Sequence, residues 1–247
     1  MDALTQTRII LIQTSHPGNI GASARAMKTM GLTDLRLVRP VRFPSAEATA
    51  MASGADDMLA RTPVHESLDE ALEGCHMVLG TSARQRRLRW PELTPREAAK
   101  TLIEAASSGP VALLFGREQS GLSNEELDRC RALVHIPADE AYSSLNLAAA
   151  VQVLSYELRL AALTQAPLPE SGAASAPEDQ PATAQMLEGF YAHLEETLVQ
   201  LDFLDPGNPR HLMRRMRRLF GRAAPTVNEI NILRGILTAA AKGPRHK

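Results

Sequence analysis

The chain has 247 residues, 44% of them hydrophobic, with 27 Lys and Arg against 28 Asp and Glu and a formal net charge of −1. That length allows one large domain, or one domain and a small one, with a sizeable core, and the balanced charge leaves any anionic partner to local clusters. Two cysteines, Cys75 and Cys130, stand far apart with no C-x-x-C spacing, which excludes a disulfide framework or a cysteine metal site and reads as buried thiols in a reducing compartment.

The first residues show no basic stretch leading into an apolar run, so no secretory signal is expected and a soluble cytoplasmic protein is the default. Short apolar runs at 8–13 (RIILIQ), 35–39, 77–82, 111–116 and 133–137 read as strands. Between them 20–30, 67–74, 94–107 and 123–130 read as helices, the last opening on the capping box Ser123 and Glu126. Apolar strands alternating with helices predict an α/β fold, a parallel sheet covered on both faces, with ligands beyond the carboxyl ends of the strands. A small-residue helix spans about 145–163; Gln152, Glu157 and Arg159 interrupt it, so it is not expected to cross a membrane.

The alternation stops near residue 164. Residues 1–164 therefore form the α/β domain, 165–183 a flexible linker rich in Pro, Ala, Ser and Gly, and 184–247 a small all-α extension. Three helical stretches fill that extension, at about 184–201, 210–222 and 226–241. In the middle one Leu212, Met213, Met216, Leu219 and Phe220 share a face, with Arg214, Arg215, Arg217, Arg218 and Arg222 largely away from it. No acidic residue in the stretch pairs these arginines, and both a solvated face and an anion-binding surface fit them.

Three loops carry polar residues at strand ends. The first, HPGNIGASARAMKTMG at 16–31, has Gly18 and Gly21 at a helix N-terminus but lacks the G-x-G-x-x-G of a dinucleotide site, and the second strand ends in Arg39 rather than an acid. Its glycines suit close approach of an anion, Asn19 suits a helix cap, and Arg25 suits a surface. The second, FGREQSGLS, has P-loop glycine spacing in Gly116 and Gly121, but Leu122 stands where lysine is required. The third runs from His135 to a polar turn, where Ser143 or Ser144 could cap the helix that Asn146 opens. Beside them, Arg84, Arg86, Arg87 and Arg89 precede Trp90, a combination that suits an unstacked nucleotide or a solvated loop.

Together and in this order, GNIGASARA, FGREQSGLS and SSLNLAAAVQVLSYEL resemble the three motifs of the SPOUT RNA methyltransferases, and the likeness runs through nearly the whole chain. The resemblance implies a trefoil knot in the C-terminal part of the sheet, an arrangement that general topology disfavours. It also implies S-adenosyl-L-methionine bound by three loops: Thr81, Ser82 and Ala83; Gly116 with Glu118 nearby; and Ile136 with Ser143, Ser144, Leu145 and Asn146. It assigns Asn19 and Arg25 to the target ribose and its phosphate, with Ser144 as a second candidate for orienting the ribose. It implies a homodimer whose sites combine loops of both subunits, no metal, and tRNA as substrate, methylated on the ribose 2′-hydroxyl of cytidine or uridine at nucleotide 32. Arg84, Arg86, Arg214, Arg215 and Arg218, together with Arg25, are the RNA-binding candidates. An rRNA-directed relative, a catalytically inert RNA-binding relative and an NAD(P)-linked oxidoreductase are the rival readings, the last opposed by the missing fingerprint.

Overall fold

The computed structural model describes residues 2–83, 90–139, 141–164, 179–208 and 210–242. The chain divides into two compact units, Met1–Pro169 and Glu170–Lys247.

The first unit runs β1 (Thr7–Ile12), α1 (Pro17–Thr29), β2 (Asp34–Val38), α2 (Ala46–Ala52), α3 (Asp56–Arg61), β3 (Val64–His65), α4 (Leu68–Ala71), β4 (Met77–Thr81), β5 (Glu92–Leu93), α5 (Pro95–Ala105), β6 (Val111–Phe115), α6 (Asn124–Leu127), β7 (Ala132–Val134) and α7 (Leu147–Thr164). The strands form one parallel sheet in the order β3-β2-β1-β6-β4-β7-β5. Every residue of β1 and β6 is buried, as helices on both faces require. From β1 the chain leaves toward β2, whereas after β6 it goes to β7 on the other side of β4, so the two exits diverge and a crevice opens between them.

The five expected strands and the five expected helices of this unit are all present. Four elements were not expected: the two-residue edge strands β3 and β5, and the short helices α2 and α3. Helix α2 explains Gly21. A Cβ there would lie 1.9 Å from the carbonyl oxygen of Ala48, so this glycine admits a crossing helix rather than an anion. By length and composition α7 could cross a membrane. Here it packs on α1 and α5 and buries Leu147, Val151, Leu154 and Leu158 against them.

The second unit holds α8 (Ala184–Gln200), α9 (Leu212–Ala223) and α10 (Val227–Ala241). It begins before residue 184. The Ala182 N–H donates to Pro225 O at 2.9 Å, the Val227 N–H donates to Gln180 O at 2.9 Å, and Thr183 caps α8, so residues 179–183 pack with the helices instead of tethering them. Residues 165–178 lie outside the described residues. The core is Phe190, Tyr191, Leu194 and Ile230, with Met213, Met216 and Phe220 packed on it. Phe190 and Phe220 meet edge to face at 4.8 Å. Leu219, expected on the inner face, is 46% exposed.

The expectation that the α9 arginines go unpaired fails at Arg217. Its guanidinium pairs with the Glu188 carboxylate of α8, Nη1 to Oε1 and Nη2 to Oε2, the latter at 2.8 Å, and lies 4.4 Å from the Tyr191 ring centroid. The acid comes from a neighbouring helix, which the local sequence of α9 does not reveal. Burial pushes the Tyr191 phenol up to about 12, so it stays protonated and donates to Arg217 O at 3.3 Å.

Candidate active site

The order β1-β6-β4-β7 sets four strand tips side by side, and the loops leaving them carry all three motifs. Thr81 Oγ1 at the end of β4 donates to Leu114 O of β6 at 3.0 Å, and the Ser82 N–H donates to Val134 O of β7 at 3.1 Å. The loop after β6 is closed on itself by two backbone bonds between Arg117 and Gly121, of 3.2 and 2.8 Å. Gly116 makes this closure possible, since a Cβ there would sit 2.2 Å from the Gly121 carbonyl carbon. Arg117 locks the same loop from outside. It donates to both Glu126 carboxylate oxygens at 3.0 Å each, and its Nε donates to Gln13 Oε1 at 2.8 Å, reaching the tip of β1. The expected capping box at Ser123 and Glu126 is present, so Glu126 serves helix and loop together.

A carboxylate spans the crevice between β1 and β6. Glu118 accepts hydrogen bonds from Ser15 N (3.1 Å), Ser15 Oγ (2.9 Å), His16 N (3.3 Å) and Asn19 Nδ2 (3.0 Å). Helix α1 has no acid in its own first turn and no side-chain cap on His16, so Glu118 brings negative charge to its positive pole from a distant loop. Burial alone would push the Glu118 carboxyl up; hydrogen bonds from Ser15 and Asn19 outweigh it and hold the group below the ordinary glutamate range. Asn19 passes the connection on, its Oδ1 accepting from Asn146 Nδ2 at 3.0 Å. Asn146 Oδ1 in turn accepts from the N–H groups of Ala148 and Ala149 at 2.9 and 3.3 Å, which caps α7.

Two cap assignments are thereby corrected. Asn19 is not the cap of α1: His16 holds that position, and Asn19 sits inside the first turn, where its side chain is free to bridge two loops. Neither Ser143 nor Ser144 caps α7, because Asn146 does. One residue from each motif thus forms a single relay, Glu118 to Asn19 to Asn146.

The relay flanks a cavity of about 160 Å³. Thr81, Ser82, Ala83, Gly116, Glu118, Ile136, Ser143, Ser144 and Leu145, nine of the ten expected cofactor residues, line it, and Asn146 follows directly. Phe115, Leu122, Val134 and Leu147 supply apolar wall. An apolar slot rimmed by backbone and hydroxyl groups fits a nucleoside such as the adenosine of S-adenosylmethionine. Among the described residues no group of three or more His, Cys, Asp or Glu gathers as metal ligands. Cys75 and Cys130 are buried free thiols, and burial raises both, Cys75 to about 11.

Arg25 stands apart. It is exposed on α1, does not line the cavity, and makes no ion pair or side-chain hydrogen bond with the described residues. Arg84 and Arg86 lie outside the described residues. Of the tail candidates Arg215 is exposed, whereas Arg214 and Arg218 are half-buried, all in the separate helical unit. Sequence reasoning passes over Ser15 and Gln13. No motif marks them, and their roles exist only because β6 lies beside β1.

Residues 6–156 match the SpoU rRNA Methylase family, and the chain belongs to that family of methyltransferases. Its helical end, residues 185–247, matches the C-terminal domain of the tRNA methyltransferase TrmJ. A relative from Pseudomonas aeruginosa, tRNA (cytidine/uridine/adenosine-2′-O-)-methyltransferase TrmJ, is 55% identical, the match covering 98% of this chain and 96% of the relative. The crystal structure of TrmJ from Z. mobilis superposes with a TM-score of 0.79 at 34% identity, covering 94% of this chain and 97% of that one. An AdoMet-bound rRNA methyltransferase from Sinorhizobium meliloti superposes with a TM-score of 0.50 at 26% identity, over 62% of this chain and 56% of that one.

Proposed function

We propose that the protein methylates the ribose 2′-hydroxyl of cytidine or uridine at nucleotide 32 in the tRNA anticodon loop, with S-adenosylmethionine as donor. The observation that carries the reading is the Glu118–Asn19–Asn146 relay, which draws all three motifs to the edge of one cavity. The name of the P. aeruginosa relative and the match to the C-terminal domain of the tRNA methyltransferase TrmJ support tRNA as substrate, and the AdoMet-bound neighbour supports the donor. The same proposal includes a knotted sheet, a homodimer and a cytoplasmic setting, which the resemblance to the SPOUT methyltransferases implies.

The donor, when bound, supplies a methyl group made electrophilic by its sulfonium. The chain does the rest. The loops at 81–83, 116–118 and 143–145 would hold the donor against the apolar wall of Phe115, Leu122 and Val134. Arg25 offers a planar fork for the phosphate beside the target ribose, which aims the 2′-oxygen at the methyl carbon. Ser144, exposed at the cavity mouth, donates to the same ribose. The ribose oxygen would take the methyl group as the donor leaves as its neutral thioether, and the hydroxyl proton would pass to solvent water late in the step. Arginine keeps its charge at physiological pH, so Arg25 positions and stabilises rather than abstracts.

Arg25 does not line its own chain's cavity, and in the proposed homodimer it would reach the site from the second subunit. Loss of the gene should remove the 2′-O-methyl mark from nucleotide 32 in mass-spectrometric maps of cellular tRNA. An unchanged tRNA map with a mark missing from rRNA would favour the rRNA-directed alternative. Full ribose methylation in both would leave an inert RNA-binding relative.

A further inference from the structure

The helical unit contains a second hollow, open to solvent, of about 800 Å³. It lies where the chain turns from α8 into α9, and its wall includes Phe203, Asp205, Asn208, Arg210, His211 and Arg215. The turn determines which apolar side chain faces out. Asp202 takes a left-handed φ of 56°, and the N–H groups of Phe203 and Leu204 both donate to Leu198 O at 3.0 Å. Leu204 is thereby buried at 5% exposure, and Phe203 is presented at 70%. A phenyl ring so open gains from cover by a flat partner.

The cations nearby have no evident structural work. Arg210 and Arg215 are exposed, and neither side chain makes an ion pair or hydrogen bond with the described residues, in contrast to Arg217 nearby on α9. Asp205, the one carboxylate on the wall, accepts at 2.8 Å from the Gly207 N–H within its own turn. The first turn of α9 has no acidic residue. An aromatic plate beside two unengaged guanidinium forks matches an unstacked nucleotide: a base for the ring and a phosphate for the forks.

We infer that this corner is a nucleotide seat for the RNA substrate, with a base stacked on Phe203 and a backbone phosphate held by Arg210 and Arg215. The inference rests on the tRNA reading above and adds a defined RNA-binding position far in sequence from the methyl-transfer motifs.

The test measures affinity of the full chain for unmodified tRNA at several salt concentrations. Phe203→Ala should weaken binding about tenfold, as loss of one base–aromatic stack does, while Phe203→Tyr stays near wild type. Arg210→Gln with Arg215→Gln should weaken binding and lower the slope of log affinity against log salt by about 0.7 for each phosphate that is no longer neutralised. Donor affinity should not change in any of them. The seat is overturned if Phe203→Ala binds tRNA as wild type does, or if the alanine and tyrosine variants lose affinity equally. A wild-type chain that binds no tRNA would overturn the substrate reading and the seat together.

Discussion

Replacing Glu118 by glutamine keeps the shape of the side chain and removes the charge that ties the tips of β1 and β6. The native carboxylate accepts from four donors, Ser15 N, Ser15 Oγ, His16 N and Asn19 Nδ2, at 2.9–3.3 Å. An amide has one oxygen, so two of these donors would meet an NH2 group instead. The Ser15 hydroxyl can rotate to accept, but its backbone N–H is left stranded, and the remaining bonds lose their charge assistance. At this half-open position about 0.5 kcal/mol per bond is a fair discount, giving a loss of about 2 kcal/mol. For a unit of this size that lowers Tm by roughly 4–8 °C. The pH dependence has a definite sign. A carboxyl held below its unfolded pKa stabilises the fold above that pKa, and the contribution is lost as pH falls through the folded value. The Tm gap between wild type and Glu118→Gln should therefore be full at pH 7 and shrink below about pH 4. Scanning calorimetry of the full chain across that range measures it. A gap under about 1 °C at pH 7, or one that stays constant into acid, would refute the idea that the charge organises the site.

Arg25→Lys keeps charge but loses the fork, so kcat should fall roughly 100-fold with donor affinity intact; near-wild-type turnover would count against positioning. Gly116→Ala places a Cβ 2.2 Å from Gly121, which must open the loop and weaken donor binding by tenfold or more in isothermal titration. If the catalytic arginine crosses between subunits, co-expressing the Arg25→Ala and Gly116→Ala chains should restore about a quarter of the wild-type sites, whereas each variant alone stays inactive. Glu188→Ala strands the Arg217 guanidinium against Tyr191 and should cost the helical unit about 1–3 kcal/mol in urea unfolding, leaving the transition of the α/β unit in place.

What could be read from the sequence follows burial. Strands β1, β4 and β6 are covered on both faces, so each is a continuous apolar run that stands out from its surroundings. The edge strands β3 and β5 have two residues each, and Val64 is 48% exposed, so neither leaves a pattern. Helix α2 is nearly invisible for another reason: its place depends on the missing Cβ of Gly21, an interaction between segments more than 20 residues apart. The site divides in the same way. Gly116, Asn19 and Asn146 stand out by residue type, but their partners do not. Asn19 looks like a cap when its own helix is considered alone, and becomes a bridge only once Glu118 and Asn146 are adjacent.

That adjacency is a property of sheet order. Motifs roughly 100 residues apart meet because β6 inserts between β1 and β4, and β7 follows on the far side of β4. The cavity at these tips is walled by the closed turn at 117–121, by hydroxyl side chains and by apolar residues. Arg25 is different. It lies six residues beyond Asn19 on α1, about 9 Å further along the axis, on an exposed face with no partner among the described residues. Its guanidinium makes no ion pair or side-chain hydrogen bond with the described residues of its own chain. The proposed function gives it a task, on RNA held at the cavity of a second subunit. Under the proposed function the cavity of one chain would hold the donor and the exposed Arg25 of a second would aim the acceptor, so activity should require the dimer even where donor binding does not.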